Sequence, residues 1–96
     1  MNSQEFFDSL KTDKCPEQLN PYLQALWYDA AGDWNTAHNI VQRMNDTTAA
    51  RIHAYLHRKE GDEWNSRYWH RRAGSTYPES MSLKQEWEYL VNKLVE

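Results

Sequence analysis

The amino-acid sequence predicts an all-α protein of five or six helices. Apolar residues recur at intervals of three and four along most of the chain, and residues that favour helix ends stand between these segments. No segment alternates apolar and polar side chains for long enough to indicate a strand. At 96 residues the chain has room for a single helical domain, residues 1–96, with a modest core.

The first two helices are predicted from their caps. Ser3 is expected to cap a short helix that ends before the linker at 12–16. Asn20-Pro21 is expected to open the second helix, because a proline at the first helical position loses no hydrogen bond. Gly32 ends it, since glycine readily adopts the positive φ of a helix terminus. The predicted apolar stripe of the second helix is Leu23, Leu26, Trp27 and Ala30.

The third and fourth helices follow the same logic. Asp33 is expected to cap the third helix, and Asp46 or Thr47 to cap the fourth, which Gly61 ends. The apolar face of the third helix is predicted to be Trp34, Ala37, Ile40, Val41 and Met44. That of the fourth is predicted to be Ala49, Ile52 and Leu56.

The last two helices are capped by Asp62 and by a capping box of Ser82 and Gln85. The fifth helix runs to Gly74 and carries aromatic residues on two opposite faces, which predicts that it is packed between the fourth and the last helix. If the last helix packs elsewhere, a self-association surface is expected at Trp64 and Tyr68, and hence a homo-oligomer. The apolar face of the last helix is predicted to be Leu83, Trp87, Leu90, Val91 and Leu94.

Composition narrows the function classes. The single cysteine, Cys15, is typical of a reduced compartment, and the N-terminal residues have neither a basic region nor an apolar run, so we expect a cytoplasmic protein without a membrane segment. A net charge of −3 and the absence of a recognised motif argue against nucleic-acid binding. Without a glycine-rich phosphate loop or an activated nucleophile, the sequence predicts no catalytic residue and no cofactor.

A Gly-Asp step recurs at Gly32-Asp33 and Gly61-Asp62, 29 residues apart, each time between two helical segments. These two units resemble tetratricopeptide repeats. The small and aromatic residues of that family's first helix correspond to Ala25 and Tyr28 in one unit and to Ala54 and His57 in the other. Its small residue in the second helix corresponds to Ala37 and Ser66, and its terminal proline to Pro78.

The resemblance implies two repeat-like hairpins at about residues 20–45 and 47–74, with capping helices at both ends. It departs from the family in its spacing, since tetratricopeptide units have about 34 residues. Val41 and His70 also stand where the family has an aromatic residue, and the first unit lacks the proline. The segment HAYLHRKEGD at 53–62 also resembles a stretch of small bacterial proteins, which implies no activity.

The main functional prediction is a protein-interaction module, a scaffold or adaptor. Residues 51–74 hold six Lys and Arg residues against three acidic ones, a local charge of +3. The resemblance implies that the outward side of the fourth helix lines a concave groove, where an acidic peptide or a terminal carboxylate would bind. The predicted binding residues on this side are Arg51, Tyr55, Arg58 and Lys59, with an ordinary solvated face as the other interpretation.

A metal-dependent hydrolase is the alternative function. His53, His57 and Glu60 share one helix face, and two histidines four residues apart can ligate one metal ion. No metalloprotease motif and no second ligand cluster are apparent, so these histidines are interpreted as packing residues. No metal ligand is predicted. We expect the protein to bind zinc no more strongly than a surface histidine pair does. His38 and His70 are likewise interpreted as packing residues.

Overall fold

The protein folds into α-helices, as the sequence predicts. The computed structural model describes residues 1–95, and within them it contains six helices and no strand. The helices are α1 (Ser3–Ser9), α2 (Pro21–Ala30), α3 (Trp34–Gln42), α4 (Thr47–Lys59), α5 (Glu63–Ala73) and α6 (Leu83–Leu94). None of these helices is both long enough and apolar enough to cross a membrane.

Two helical hairpins, α2–α3 and α4–α5, turn at the Gly-Asp steps with the same hydrogen bonds. In the first turn Gly32 has φ +89°, and the amide of Asp33 donates to the Tyr28 carbonyl at 2.8 Å, which satisfies an otherwise unpaired helix carbonyl. The Asp33 carboxylate then accepts the amide of Thr36 and starts α3. The turn at Gly61-Asp62 repeats these contacts with φ +88°, so the predicted positive φ at both glycines is confirmed.

The other predicted caps are confirmed with one exception. Asn20, Asp46 and Ser82 cap α2, α4 and α6, and Ser82 forms the predicted capping box. The expectation that Ser3 caps α1 is wrong, because Asn2 does so instead. The Asn2 side chain accepts a hydrogen bond from the Glu5 amide, and the Glu5 carboxylate accepts one from the Asn2 amide. The helix cap therefore lies one residue earlier than predicted, and it satisfies two backbone donors at the helix end.

The central element of the fold is α4. It contacts α2, α3, α5 and α6, and eight of its thirteen residues are buried. The predicted inward residues Ala49, Ile52 and Leu56 are in the core, but so is Tyr55, and its predicted position on the outward side is therefore wrong. A helix with neighbours on every side has no free face along its middle.

The last helix packs across the first helices of both hairpins. Contacts of α6 run to α2 and α4, and the Trp87 indole donates to the Leu26 carbonyl at 3.0 Å. On the other side of Trp87 lie Phe6 and Phe7 of α1, with ring centroids 5.8 and 5.7 Å away. The predicted packing of α5 between α4 and α6 is therefore wrong, because the carboxylate and indole of α6 find their partners on α4 and α2.

We expect Gly61→Ala to lower the free energy of unfolding by about 1 kcal/mol. No atom lies within 4 Å of a Cβ added there, so the loss would come from the positive φ alone. Urea unfolding followed by circular dichroism measures the change. Gly61→Asn is the control, because asparagine tolerates this conformation better and should be less destabilising. Equal stability of the alanine variant and the parent would contradict the assigned turn.

Candidate functional site

The predicted binding arginines of α4 are bound by a carboxylate of the same chain. Glu86, in the first turn of α6, is completely buried. Its two oxygens accept the guanidinium groups of Arg51 at 2.5 Å and Arg58 at 2.8 Å, and Arg58 also donates to the Met81 carbonyl. The interpretation of this side as an ordinary solvated face is therefore wrong at both arginines, since α6 covers the part of α4 on which they lie.

The other two predicted binding residues converge on a carboxylate of α2. The Tyr55 hydroxyl donates to Asp29 at 2.9 Å, and the Lys59 ammonium lies 2.9 Å from the other oxygen of Asp29. Burial raises the pKa of the Tyr55 hydroxyl, and the adjacent Asp29 charge raises it further. The four predicted residues thus form two ion-paired clusters around buried carboxylates of α2 and α6, with Lys59 at the exposed edge of one of them.

We expect Glu86→Gln to destabilise the protein by about 3 kcal/mol, because two largely buried arginines would lose their common counter-charge. Exchanging both Arg51 and Arg58 for Glu should prevent folding, whereas solvated arginines would leave thermal stability nearly unchanged. Thermal unfolding measures both effects. Glu88→Gln on the same helix is the control, since Glu88 is only partly buried and a change within about 0.5 kcal/mol is expected.

Three histidines meet between α3, α4 and α5. His38 comes from α3, and His53 and His57 lie one turn apart on α4. The Nε2 atoms of His38 and His53 are 2.9 Å apart, and one ring nitrogen from each of the three lies within 4.8 Å of the others. Together we call these residues the histidine cluster.

The environment fixes the rings of the histidine cluster. Trp34 stacks on His38 with centroids 4.8 Å apart, and Trp69 stacks on His53 at 3.9 Å. Burial, followed by the neighbouring histidines, lowers the pKa of His53 to about 3, and burial and His57 lower that of His38. Both imidazoles are therefore neutral at neutral pH.

The His53, His57 and Glu60 face of the alternative prediction has a different arrangement in the structure. Glu60 accepts a hydrogen bond from Nδ1 of His57 at 2.6 Å and so belongs to a second group with Asp62. His53 instead pairs with His38. The sequence analysis does not group His38 with these residues, because it lies on another helix, fifteen residues before His53.

The fourth histidine, His70, is buried apart from the cluster. Its Nδ1 is 2.8 Å from the Ser75 hydroxyl, and its Nε2 has no hydrogen-bond partner within residues 1–95. Burial, followed by the charge of Arg51, lowers the pKa of His70 to about 4. The charges of Arg58 and Arg67 act in the same direction, and that of Glu86 acts against them.

We expect His70 to make the protein less stable in mild acid. The unfolded histidine takes up a proton near pH 6.5, whereas the folded one stays neutral until about pH 4, so stability is lost as pH falls between these values. At pH 5 the loss from this residue should be about 2 kcal/mol. Urea unfolding at pH 7 and pH 5 in chelator measures it. Between the two pH values the free energy of unfolding of His70→Gln should fall by about 2 kcal/mol less than that of the parent protein. Equal losses in the two proteins would refute the low pKa assigned to His70.

The outer face of α5 is the most exposed aromatic surface of residues 1–95. Trp64 is 71% exposed, and its ring is parallel to that of Tyr68 at a centroid distance of 6.2 Å. Arg72 continues the row: its guanidinium lies 5.9 Å from the Tyr68 ring and 5.0 Å from the Trp69 ring. We call Trp64, Tyr68 and Arg72 the α5 ladder.

Few cations of the basic segment are free. Of its six Lys and Arg residues, four form ion pairs: Arg51, Arg58, Lys59 and Arg67. Arg71 and Arg72 are exposed, and no carboxylate in the described chain is within ion-pair distance of either. The sequence predicts an exposed, unpaired positive charge on α4, but in the structure this charge lies on α5.

Comparison with known proteins gives no match, whether with family models, with curated proteins or with solved structures.

Proposed function

We propose that the protein is an interaction module that binds an acidic segment of a partner protein through the α5 ladder. The observation that carries this proposal is the exposure of Trp64, stacked on Tyr68 and followed by two arginines without a carboxylate partner in residues 1–95. It retains the predicted class of function and the predicted acidic ligand, but it moves the binding face from α4 to α5.

The composition of the ladder suits protein recognition. Trp, Tyr and Arg are the residues most often found to dominate the energy of protein interfaces. Trp and Tyr bury a large area with few rotatable bonds, and Arg offers a planar group with several hydrogen-bond donors. The Arg72 guanidinium donates to the Tyr68 hydroxyl at 3.2 Å, which restrains it before a ligand arrives. A restrained fork loses less entropy when it pairs with a carboxylate.

Charge favours an acidic occupant. Helix α5 carries Arg67, Arg71 and Arg72 against the single acid Glu63, and Arg67 is already paired with Glu63 and Glu79. A carboxylate would satisfy Arg71 or Arg72, and an aromatic or aliphatic neighbour in the same segment would cover Trp64. A polyanionic nucleic acid is a poorer partner, because the whole chain has a net charge of −3.

The cysteine content favours a cytoplasmic setting for this function. We infer it because the only cysteine, Cys15, is a free thiol, as is typical of a reducing compartment. A second copy of the chain, bound through Trp64, is the alternative occupant of the ladder. Its binding differs from that of a peptide because it depends on protein concentration.

The binding test uses fluorescein-labelled ten-residue peptides rich in Glu, with Tyr or Leu interspersed, beside sequence-matched peptides rich in Gln. Fluorescence anisotropy should detect binding of the Glu peptides only, with affinity that falls as salt rises. Trp64→Ala and Arg72→Glu should each weaken binding at least about tenfold, an effect expected for an interface hot spot. Neither should alter thermal stability by more than about 0.5 kcal/mol, as both side chains are exposed.

The chain offers a matched control on α6. Tyr89 is 46% exposed, and the Lys93 ammonium lies 5.7 Å from its ring centroid, so this pair repeats an aromatic and cation pair elsewhere on the surface. Tyr89→Ala and Lys93→Glu should leave peptide affinity unchanged. Equal weakening by Lys93→Glu and Arg72→Glu would reduce the effect to net charge. A dimer in sedimentation velocity that Trp64→Ala dissociates would assign the ladder to a second copy.

A further inference from the structure

The histidine cluster has more than a packing role available to it. His38 is brought to His53 and His57 by the contact of α3 with α4, which places three imidazoles from two helices at one point. Packing alone requires aromatic rings at these positions, not nitrogen atoms that face each other. The 2.9 Å approach of two Nε2 atoms, one of which must carry the proton, is a polar contact inside an aromatic environment.

We propose that His38, His53 and His57 bind one divalent transition-metal ion of the zinc class. Zinc binds three imidazoles at about 2.0 to 2.1 Å each, which separates the ligand nitrogens by about 3.3 Å in a tetrahedral arrangement. The separations in the cluster, 2.9 Å for one pair and at most 4.8 Å for the others, are compatible with that value. Small rotations of the three side chains would bring the nitrogens to the ligand positions.

The surroundings supply the features that a metal centre needs. Glu60 contacts Nδ1 of His57 at 2.6 Å, so the His57 Nε2 is the nitrogen left for a metal. A carboxylate on the far nitrogen of a ligand histidine orients the ring and raises its basicity.

Charge around the site acts in both directions. Three neutral ligands leave the +2 charge of the ion uncompensated, and the carboxylates of Glu60 and Asp62 near His57 offset part of it. The Arg72 guanidinium, 5.0 Å from the Trp69 ring that covers His53, opposes it. The site therefore favours an ion that binds imidazole strongly, which selects zinc, copper or nickel over magnesium and calcium.

The cluster leaves one coordination position open. No fourth side-chain ligand of residues 1–95 belongs to the group, so water would complete a tetrahedron. A cavity of about 160 Å³ reaches His53 and is lined also by Trp69, Arg72 and Asp46. It brings solvent to the His53 side of the cluster.

The decisive measurement is titration of metal-free protein with Co²⁺ and Zn²⁺. We expect one equivalent of Co²⁺ to give visible absorption bands of a low-symmetry site, and Zn²⁺ to displace it with a Kd below about 10 µM. Imidazole nitrogen NMR of the parent protein should show three Nε2 resonances moved by Zn²⁺, a readout that requires no variant. Zn²⁺ binding with a Kd above about 100 µM, or with only two histidines moved, would overturn the proposal.

Variants separate the three-histidine centre from a simple pair on α4. His38→Gln should weaken Zn²⁺ binding at least about 100-fold, and Glu60→Gln by about 10- to 100-fold, as expected for an orienting group. His70→Gln is the matched control, since it removes the one histidine outside the cluster and should keep one-equivalent binding. Equal affinity of His38→Gln and parent, with unchanged circular dichroism, would refute the centre. None of these measurements depends on peptide binding by the α5 ladder.

Discussion

The position of α6, and with it the closure of the core, depends on one buried carboxylate. Glu86 accepts Arg51 and Arg58 of α4, and a charge that is removed from water in this way is tolerated only with its partners in place. Helix α6 can therefore dock in one register. That register brings Trp87 onto α2 and against the two phenylalanines of α1, so the N-terminal and C-terminal helices are held by the same contact.

The hairpins could be predicted from the sequence because their signals are local. A glycine with positive φ and an aspartate that caps the next helix act within about six residues, and both Gly-Asp turns form as expected. The docking of α6 could not be predicted in the same way. Its apolar stripe indicates that one face of α6 is buried, but it does not identify the surface against which that face packs. Whether α6 packs on α5 or on the α2–α4 surface depends on contacts between residues 28 to 61 positions apart.

One signal for the internal ion pairs was present in the sequence. Glu86 lies three residues after Leu83 and four before Leu90, inside the apolar stripe of α6, where a carboxylate needs a cation. If Glu86 is interpreted as a buried carboxylate, two of the cations of residues 51–74 are needed as its ion-pair partners. The positive charge of the segment then no longer indicates an exposed basic surface. His38 carried no such signal, because its partners belong to another helix and only the packing of α3 on α4 brings them together.

One side chain, Trp69, lies between the histidine cluster and the α5 ladder. Trp69 stacks on His53 with one face, meets the Tyr68 ring edge-on at 5.3 Å and lies 5.0 Å from the Arg72 guanidinium. Helix α5 is held mainly by α4, with the Ser66 hydroxyl donating to the Ala54 carbonyl at 2.7 Å. A carboxylate that pairs with Arg72 would neutralise a cation that lines the same cavity as His53. Peptide and metal ion would then favour each other electrostatically, and the coupling would be reciprocal because it is a difference of binding free energies.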